Sequence, residues 1–197
     1  MSNANDVIHP RFHHVNLKTT RLDEMIEWYS TLVGAEVVFR YDMGAWLSND
    51  EANHRIALLA FPNFVDDPEK DLRTGMHHTA FEYESFDDLN QSYVRLRDAG
   101  ITPAICLDHG MTFSYYYADP DGNNVELQCD VFGDWSKSRK WMQSSLEFAN
   151  DPLGKFVDPE KVAADRAEGT AFEKIHDKAM AGAYAPEVAP VELPEAS

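Results

Sequence analysis

The sequence predicts an α+β fold in which two βαβββ modules form one curved mixed sheet, followed by a helical C-terminal extension. The first observation is a repeat: residues 12–17 (Phe-His-His-Val-Asn-Leu) and 76–81 (Met-His-His-Thr-Ala-Phe) each open a predicted strand with a histidine pair. The second is that one helical pattern and three more predicted strands follow each pair in the same order. A duplicated segment with a conserved order of elements indicates two copies of one module.

The first module is predicted at residues 10–62. Apolar residues between positions 22 and 32 recur at helical spacing, and Gly34 closes this helix. Segments 35–41, 46–47 and 55–61 are rich in β-branched and aromatic residues and predict three strands. This order gives one strand, one helix and three strands.

The second module is predicted at 75–130, with a helix over 86–99 closed by Gly100 and a tight turn at 119–122 (Asp-Pro-Asp-Gly) before its last strand. Together, residues 1–130 form one paired domain in this prediction. Residues 131–183 form the helical extension, with helices at 135–148 and 159–181. Residues 184–197 mix alanine, proline and glutamate without periodicity and predict a flexible tail.

Composition excludes several classes of function. The formal net charge is -17, from 34 acidic against 17 basic residues, whereas nucleic-acid binding needs clustered positive charge. No segment approaches the roughly twenty apolar residues of a membrane span, and residues 1–10 lack the pattern of a signal peptide. We therefore expect a cytoplasmic protein that binds neither nucleic acid nor membrane.

The sequence has two cysteines, Cys106 and Cys129, which are too few for a disulfide scaffold. We expect both to be buried, inert thiols.

Strand alternation selects one histidine of each pair as a candidate metal ligand. Neighbouring residues of a strand point to opposite faces, so His13 and His77 would lie on helix-packed faces while His14 and His78 point into the curved sheet. A lone histidine is more often an ordinary hydrogen-bonded residue. Duplication at matched positions favours a shared site instead.

Glu126 is the third candidate ligand. It lies between apolar residues of the last predicted strand, where a buried acid needs a partner such as a metal cation or an arginine. The matching position of the first module is Ala57, which leaves three protein ligands and open coordination positions. Two histidines and one carboxylate are typical of a non-haem Fe(II) centre and also serve in zinc hydrolysis.

Glu126 also belongs to a longer pattern of residues at set spacings. It consists of His109, Tyr116, Asp119, Pro120, Gly122 and Glu126. With His14 and His78 ahead of it, residues 10–130 resemble the vicinal oxygen chelate superfamily, and within it the small two-module type I extradiol ring-cleaving dioxygenases. Segment 53–58 (Asn-His-Arg-Ile-Ala-Leu) resembles the place where members carry an acid–base histidine. Tyr115 and Leu107 depart from the signature and bear on substrate and subfamily more than on chemistry.

The resemblance implies an enzyme that cleaves a catechol-type aromatic diol with O2 at Fe(II), or with Mn(II) as the alternative metal. His14, His78 and Glu126 would hold the metal. His54 would take a proton from the diol and later return one, a task suited to imidazole. Tyr116 and His109 would hold the substrate oxygens by hydrogen bonds. Exposed strand edges and the helical extension favour a homo-oligomer.

Two other functions are open at this point. The glyoxalase-type isomerases resemble this chain in their module plan but use four protein ligands, and Ala57 speaks against them. Bleomycin-resistance-type proteins bind a small molecule without chemistry and need no metal triad, so the full set of candidate residues speaks against them too. The sequence does not identify which catechol is the substrate.

Overall fold

A computed structural model describes residues 7–191, which divide into two compact units between Arg73 and Thr74. Within the described residues, the first unit contains β1 (Val15–Lys18), α1 (Leu22–Val33), β2 (Glu36–Tyr41), β3 (Gly44–Ser48), β4 (Ile56–Leu59) and a short 3-10 helix (Lys70–Leu72). The second unit contains β5 (His78–Tyr83), α2 (Phe86–Asp98), β6 (Ile105–Asp108), β7 (Thr112–Ala118), β8 (Asn124–Asp130), α3 (Trp135–Ser144), α4 (Leu146–Asn150), β9 (Lys155–Phe156), α5 (Pro159–Ala167) and α6 (Phe172–Met180).

Each unit has its own sheet. The strand order is β1-β4-β3-β2 in the first unit and β5-β8-β7-β6-β9 in the second. In each, the first and fourth strands of the module pair in parallel, while the other neighbours pair antiparallel. The predicted α+β class and two-module plan are confirmed. The strands form two hydrogen-bonded sheets where the sequence predicts one curved sheet.

One helix in each module covers its sheet through a single apolar stripe. In α1 the buried side chains are Met25, Tyr29 and Leu32, spaced at three and four residues. Gly34 ends this helix with φ +67°, a left-handed conformation that glycine adopts without steric cost. In α2 the cap is Ser85, whose side chain accepts a hydrogen bond from the backbone N–H of Asp88. Within residues 7–191 no helix is long and apolar enough to cross a membrane.

The second sheet separates a core face from a polar face by simple alternation. Phe113, Tyr115 and Tyr117 of β7 are almost fully buried, and the Tyr115 ring meets Tyr93 of α2 at 5.4 Å. Tyr116, between them in sequence, points to the other face. The same alternation places Val125 and its core neighbours in β8 on one side and Glu126 on the opposite side, which makes the polar face available for chemistry.

The C-terminal extension is more broken than the sequence predicts. The expected helix at 135–148 is interrupted at Ser145, whose side chain accepts from Phe148 N and starts α4 as a new helix. The expected helix at 159–181 is interrupted at Gly169, which has φ +90°. Between them lies β9, which the sequence analysis missed because two residues carry no periodicity. The expected flexible tail at 184–197 lies partly outside the described residues, and Tyr184 at its start is buried.

Polar contacts fasten the extension to the second module. Arg166 of α5 forms a two-pronged ion pair with Asp87 of α2 at 2.6 and 2.7 Å. Glu160 of α5 accepts from the Tyr93 hydroxyl at 2.6 Å and from Arg97 at 2.9 Å. β9 adds to the sheet beside β6, with Asp108 opposite Lys155. The extension is thus part of the second unit's fold.

Asp108, at the end of β6, is fully buried and is satisfied from two directions. Oδ1 accepts from the backbone N–H of Gly110 at 2.8 Å, and Oδ2 lies 2.7 Å from Nδ1 of His176 in α6. Burial alone would lower the pKa of His176, but the Asp108 carboxylate outweighs it and the pKa is raised from its ordinary 6.5. The pair therefore joins α6 to the turn that carries His109.

Because folding raises the pKa of His176, the pair contributes its full stabilisation below pH 6.5 and loses it as the pH rises through the folded-state pKa. We expect the free energy of unfolding in urea to fall over that range. The fall should shrink in His176→Gln, whose side chain does not titrate. An unchanged pH profile in this variant would contradict the role of the pair.

Gly154 approaches the same turn so closely that a side chain has no room. With φ +78°, an added Cβ would overlap the carbonyl oxygen of Asp108 and lie 2.8 Å from Cα of His109. Gly154→Ala should lower the free energy of unfolding by about 3 kcal/mol, because overpacking adds to left-handed strain. Gly169→Ala is the matched control: it has positive φ but open space around it and should cost about 1 kcal/mol. If the two variants lost the same free energy of unfolding in urea, the close approach at Gly154 would be ruled out.

Candidate metal centre

Four of the predicted site residues lie together in the second unit. His78 opens β5, Tyr116 is in β7, and Glu126 is in β8 directly opposite Tyr116. β5 and β8 run in parallel with Ala80 opposite Glu126, so His78 lies two residues back along the same face. His109 follows the end of β6 and points its ring toward Tyr116. Strand pairing is therefore what gathers these side chains on one face.

Glu126 is the centre of this group. Its side chain is 5% exposed, with Oε2 3.0 Å from Nε2 of His78 and Oε1 accepting from the Tyr116 hydroxyl at 2.9 Å. Within the part of the chain that the structure describes, His78 is its only ion-pair partner. Metal–ligand bonds of about 2.1 Å at right angles place two ligand atoms roughly 3.0 Å apart. The carboxylate and the imidazole therefore fit a shared divalent metal.

Tyr116 connects Glu126 to His109, whose Nε2 lies 2.9 Å from the hydroxyl. The hydroxyl donates its one proton to Glu126, and the tautomer of His109 sets the direction of the second contact. Burial lowers the pKa of His109, while the nearby Glu126 charge opposes that shift. Burial and Glu126 both raise the pKa of Tyr116. The pKa shifts therefore favour a neutral His109 ring and a Tyr116 hydroxyl that keeps its proton at neutral pH.

The other two predicted residues, His14 and His54, lie together in the first unit. Their rings are 4.3 Å apart between centroids, and the His13 ring lies 5.1 Å from His54. The prediction that His13 packs against a helix is wrong. β1 begins only at Val15, so strand alternation does not reach the pair, and His13 is exposed with Nδ1 3.0 Å from Nδ1 of His14.

The position of Ala57 matches that of Glu126 in the register of the strands. Asn16 of β1 lies opposite Ala57, as Ala80 of β5 lies opposite Glu126, and each is two residues after the candidate histidine. Ala57 is 1% exposed and offers no ligand atom. Of the two equivalent positions, therefore, only the one in the second module carries a carboxylate.

A cavity of about 540 Å³ lies against β5, β7, β8 and α3, and its lining includes none of the predicted site residues. Its floor includes Gln128, two residues along β8 from Glu126, and Glu82 of β5, while Arg139 and Met142 of α3 line its wall. Sequence analysis missed these residues. Alternation from Glu126 gives a signal for Gln128, but nothing in the sequence indicates that α3 lies over this face.

The model of the Glyoxalase/Bleomycin resistance protein/Dioxygenase superfamily matches residues 11–127, which is more than half of the chain. The chain belongs to this superfamily. The matched span covers nearly all of both modules and ends one residue after Glu126, so both histidine groups described above lie inside it. The resemblance to the vicinal oxygen chelate superfamily seen in the sequence is thereby confirmed.

Curated relatives of this superfamily member are dioxygenases by name. Biphenyl-2,3-diol 1,2-dioxygenases 2 and 3 of Rhodococcus globerulus are 37% and 36% identical to it over 172 residues, or 87% of this chain and 90% of theirs. Catechol-2,3-dioxygenase of Bacillus subtilis (strain 168) is 28% identical over 68% of this chain and 47% of its own length. The first two similarities extend beyond the paired modules into the C-terminal extension.

Solved structures of the superfamily share the fold at lower identity. A glyoxylase/bleomycin resistance protein/dioxygenase domain from Frankia sp. EAN1pec has a TM-score of 0.52 and 21% identity, covering 62% of this chain and 99% of its own. The fosfomycin resistance protein FosX of Listeria monocytogenes has a TM-score of 0.50 and 17% identity, covering 67% and 99%. At such identities the likeness concerns the fold alone.

If Glu126 is a metal ligand, loss of its hydrogen bond from Tyr116 in the Tyr116→Phe variant should weaken binding of Mn(II), followed by electron paramagnetic resonance, by about 10-fold to 100-fold. Tyr117→Phe is the matched control, because its hydroxyl faces the core and is buried without a hydrogen-bond partner among the described residues. Equal affinities in the two variants would show that Tyr116 does not act on the metal.

Proposed function

We propose that the protein is an extradiol dioxygenase that cleaves a catechol-type aromatic diol with O2 at Fe(II) held by His14, His78 and Glu126. The observation that carries the proposal is the buried Glu126 carboxylate, which faces Nε2 of His78 at 3.0 Å and has neither lysine nor arginine as an ion-pair partner within residues 7–191. A buried carboxylate without a cation is costly, and a metal ion removes that cost. The names of the curated relatives support the same reaction.

The donor set favours iron. Two imidazoles and one carboxylate with open positions are the ligands of non-haem Fe(II) oxygenases, with Mn(II) as the alternative. When bound, the metal would supply the electron transfer between the diol and dioxygen. The protein's own part is to supply two neutral ligands and one anionic one, so that the ion keeps a net positive charge that attracts an ionised diol.

His54 is the proposed acid–base residue. Burial lowers its pKa, and the nearby His14 and His13 lower it further, so the ring is neutral at pH 7 and able to accept the proton of a diol hydroxyl. Tyr116 keeps its proton because its pKa is raised, and it serves as a hydrogen-bond donor. His109 and Tyr116 are proposed to hold the substrate oxygens, and their mutual hydrogen bond fixes both rings in advance.

The cavity at Gln128 lies along β8 from Glu126, and its lining includes none of the proposed site residues. Its volume of about 540 Å³ lies within the range of small-molecule sites and exceeds what one six-membered ring fills. Met142 offers an apolar contact, while Gln128 and Arg139 offer polar ones. The names of two relatives favour a diol that carries a second aromatic ring.

The other functions weighed from the sequence have less support. A four-ligand isomerase needs a ligand at Ala57, which has none.

The homo-oligomer stays a prediction: β2 is an edge strand whose Val37, Val38 and Phe39 are exposed, a surface that a second copy can pair with. Light scattering of the purified protein measures that state directly.

Oxygen uptake across a panel of catechols tests the proposal. Protein loaded anaerobically with Fe(II) should consume one O2 per diol and form a yellow ring-opened product. His78→Ala should lose both iron and turnover, because it removes a ligand. His54→Ala should keep its iron but lose about 100-fold or more in turnover, the usual contribution of an acid–base group. His9→Ala, an exposed histidine outside both groups, is the control and should match the parent.

Three outcomes contradict the proposal. Tight iron binding without oxygen uptake would exclude a dioxygenase acting on these diols. Formation of lactoylglutathione from its hemithioacetal would favour the isomerase. Loss of iron in His54→Ala would mean that this histidine is a ligand and not the acid–base group.

A further inference from the structure

Three histidines of the first unit converge on one point. One ring nitrogen of each of His13, His14 and His54 lies within 4.8 Å of the other two. His13 and His14 are closest, with 3.0 Å between their Nδ1 atoms, and the His14 and His54 rings are 4.3 Å apart. These three residues are called the histidine cluster below. Only His14 and His54 belong to the proposed dioxygenase centre, and His13 has no role there.

Strand pairing holds the cluster in place. β1 and β4 are parallel neighbours with Val15 opposite Ile56. The residues just before the two strands therefore lie side by side at the same end of the sheet. Backbone N–H of Val15 donates to the carbonyl of Arg55 at 3.0 Å, and the Arg55 guanidinium donates to the carbonyl of His13 at 2.9 Å. Asp50 binds that guanidinium at 2.9 Å and neutralises its charge beside the cluster. The His13 carbonyl and the residues that follow His14 and His54 are therefore held by hydrogen bonds at this end of the sheet.

The donor set of the cluster differs from that of the dioxygenase centre. Tetrahedral zinc with bonds of about 2.0 Å to nitrogen needs ligand atoms roughly 3.3 Å apart, which small rotations of exposed imidazoles reach from the observed spacing. Three neutral imidazoles without a carboxylate suit zinc and copper, whereas iron and manganese gain more from an oxygen ligand. Two of the three rings are exposed and open to ions from solvent.

We propose that His13, His14 and His54 form a zinc-binding site in the first unit, with water as the fourth ligand. A second consequence rests on the proposed dioxygenase function: zinc in the cluster occupies His14, a ligand of the iron centre, and His54, its acid–base group. Zinc and catalytic iron then exclude one another. The site would act as an inhibitory metal site that lowers activity when zinc rises relative to iron.

A Glu126→Ala background isolates the cluster, because it removes one ligand of the proposed iron centre and leaves all three histidines. Zinc titration by calorimetry, with Co(II) as the visible probe of tetrahedral geometry, should show one site per chain. Adding His13→Ala should weaken zinc binding more than 100-fold, since loss of a direct ligand exceeds the roughly 10-fold to 100-fold effect of an outer partner. His77→Ala in the same background is the matched control and should keep the affinity, because His77 holds the same place in the second module.

Equal zinc affinity with and without His13 would overturn the proposal, as would equal losses from His13→Ala and His77→Ala. His78→Ala serves as a second background in case Glu126→Ala does not fold, which thermal unfolding checks. These titrations need no turnover, so they decide the zinc site whether or not the protein is a dioxygenase.

The inhibitory role has its own readout. In Fe(II)-loaded parent protein, added zinc should lower the initial rate of oxygen uptake, and extra Fe(II) should restore it. The ratio of rates with and without zinc should return toward one in His13→Ala. Zinc inhibition of the same strength in that variant would overturn the inhibitory role. If neither the parent nor the variant consumes oxygen, the proposed function and the inhibitory role are both wrong. The result of the zinc titration would still hold.

Discussion

The parallel pairing between the first and fourth strands of each module is the interaction on which the rest of this structure depends. It joins β1 to β4 and β5 to β8, strands that are separated in sequence by a helix and two other strands. The pairing brings His54 beside the first histidine pair and brings Glu126 to the row next to His78. A shift of one residue in the second pair would turn Glu126 into the apolar core and Val125 to the polar face. Core packing therefore enforces the register that the chemistry needs.

Many features of the fold and of the candidate site follow from the sequence because they depend on local or repeated patterns. The histidine pairs mark the start of each module, and α1 and α2 follow from helical spacing and from the glycines that close them, Gly34 and Gly100. Alternation along β7 separates Tyr116 from Tyr115 and Tyr117, and the structure buries the latter two. Matching Ala57 with Glu126 needs only a count of residues from each module's start. Each of these predictions relies on a period that the backbone itself imposes.

What the sequence does not predict depends on contacts between distant residues. Asp108 and His176 are 68 positions apart, and neither residue has a local pattern that indicates the other. β9 is two residues long and exists because β6 offers an unpaired edge. The orientation of His13 depends on where β1 begins, a boundary that the hydrophobic pattern leaves uncertain by a few residues. That boundary decides whether His13 joins the other two histidines or lies against a helix.

The two sheets end differently at their outer edges. Among residues 7–191, β2 is an edge strand of the first sheet, whereas β9 covers β6 in the second with backbone hydrogen bonds from the chain's own extension. A chain shortened after β8 would thus lose more than an appendage. It would uncover a strand edge and leave the buried Asp108 carboxylate without the histidine that faces it. A shortened form of the second unit would keep the Asp108 carboxylate paired only if it ran through α6.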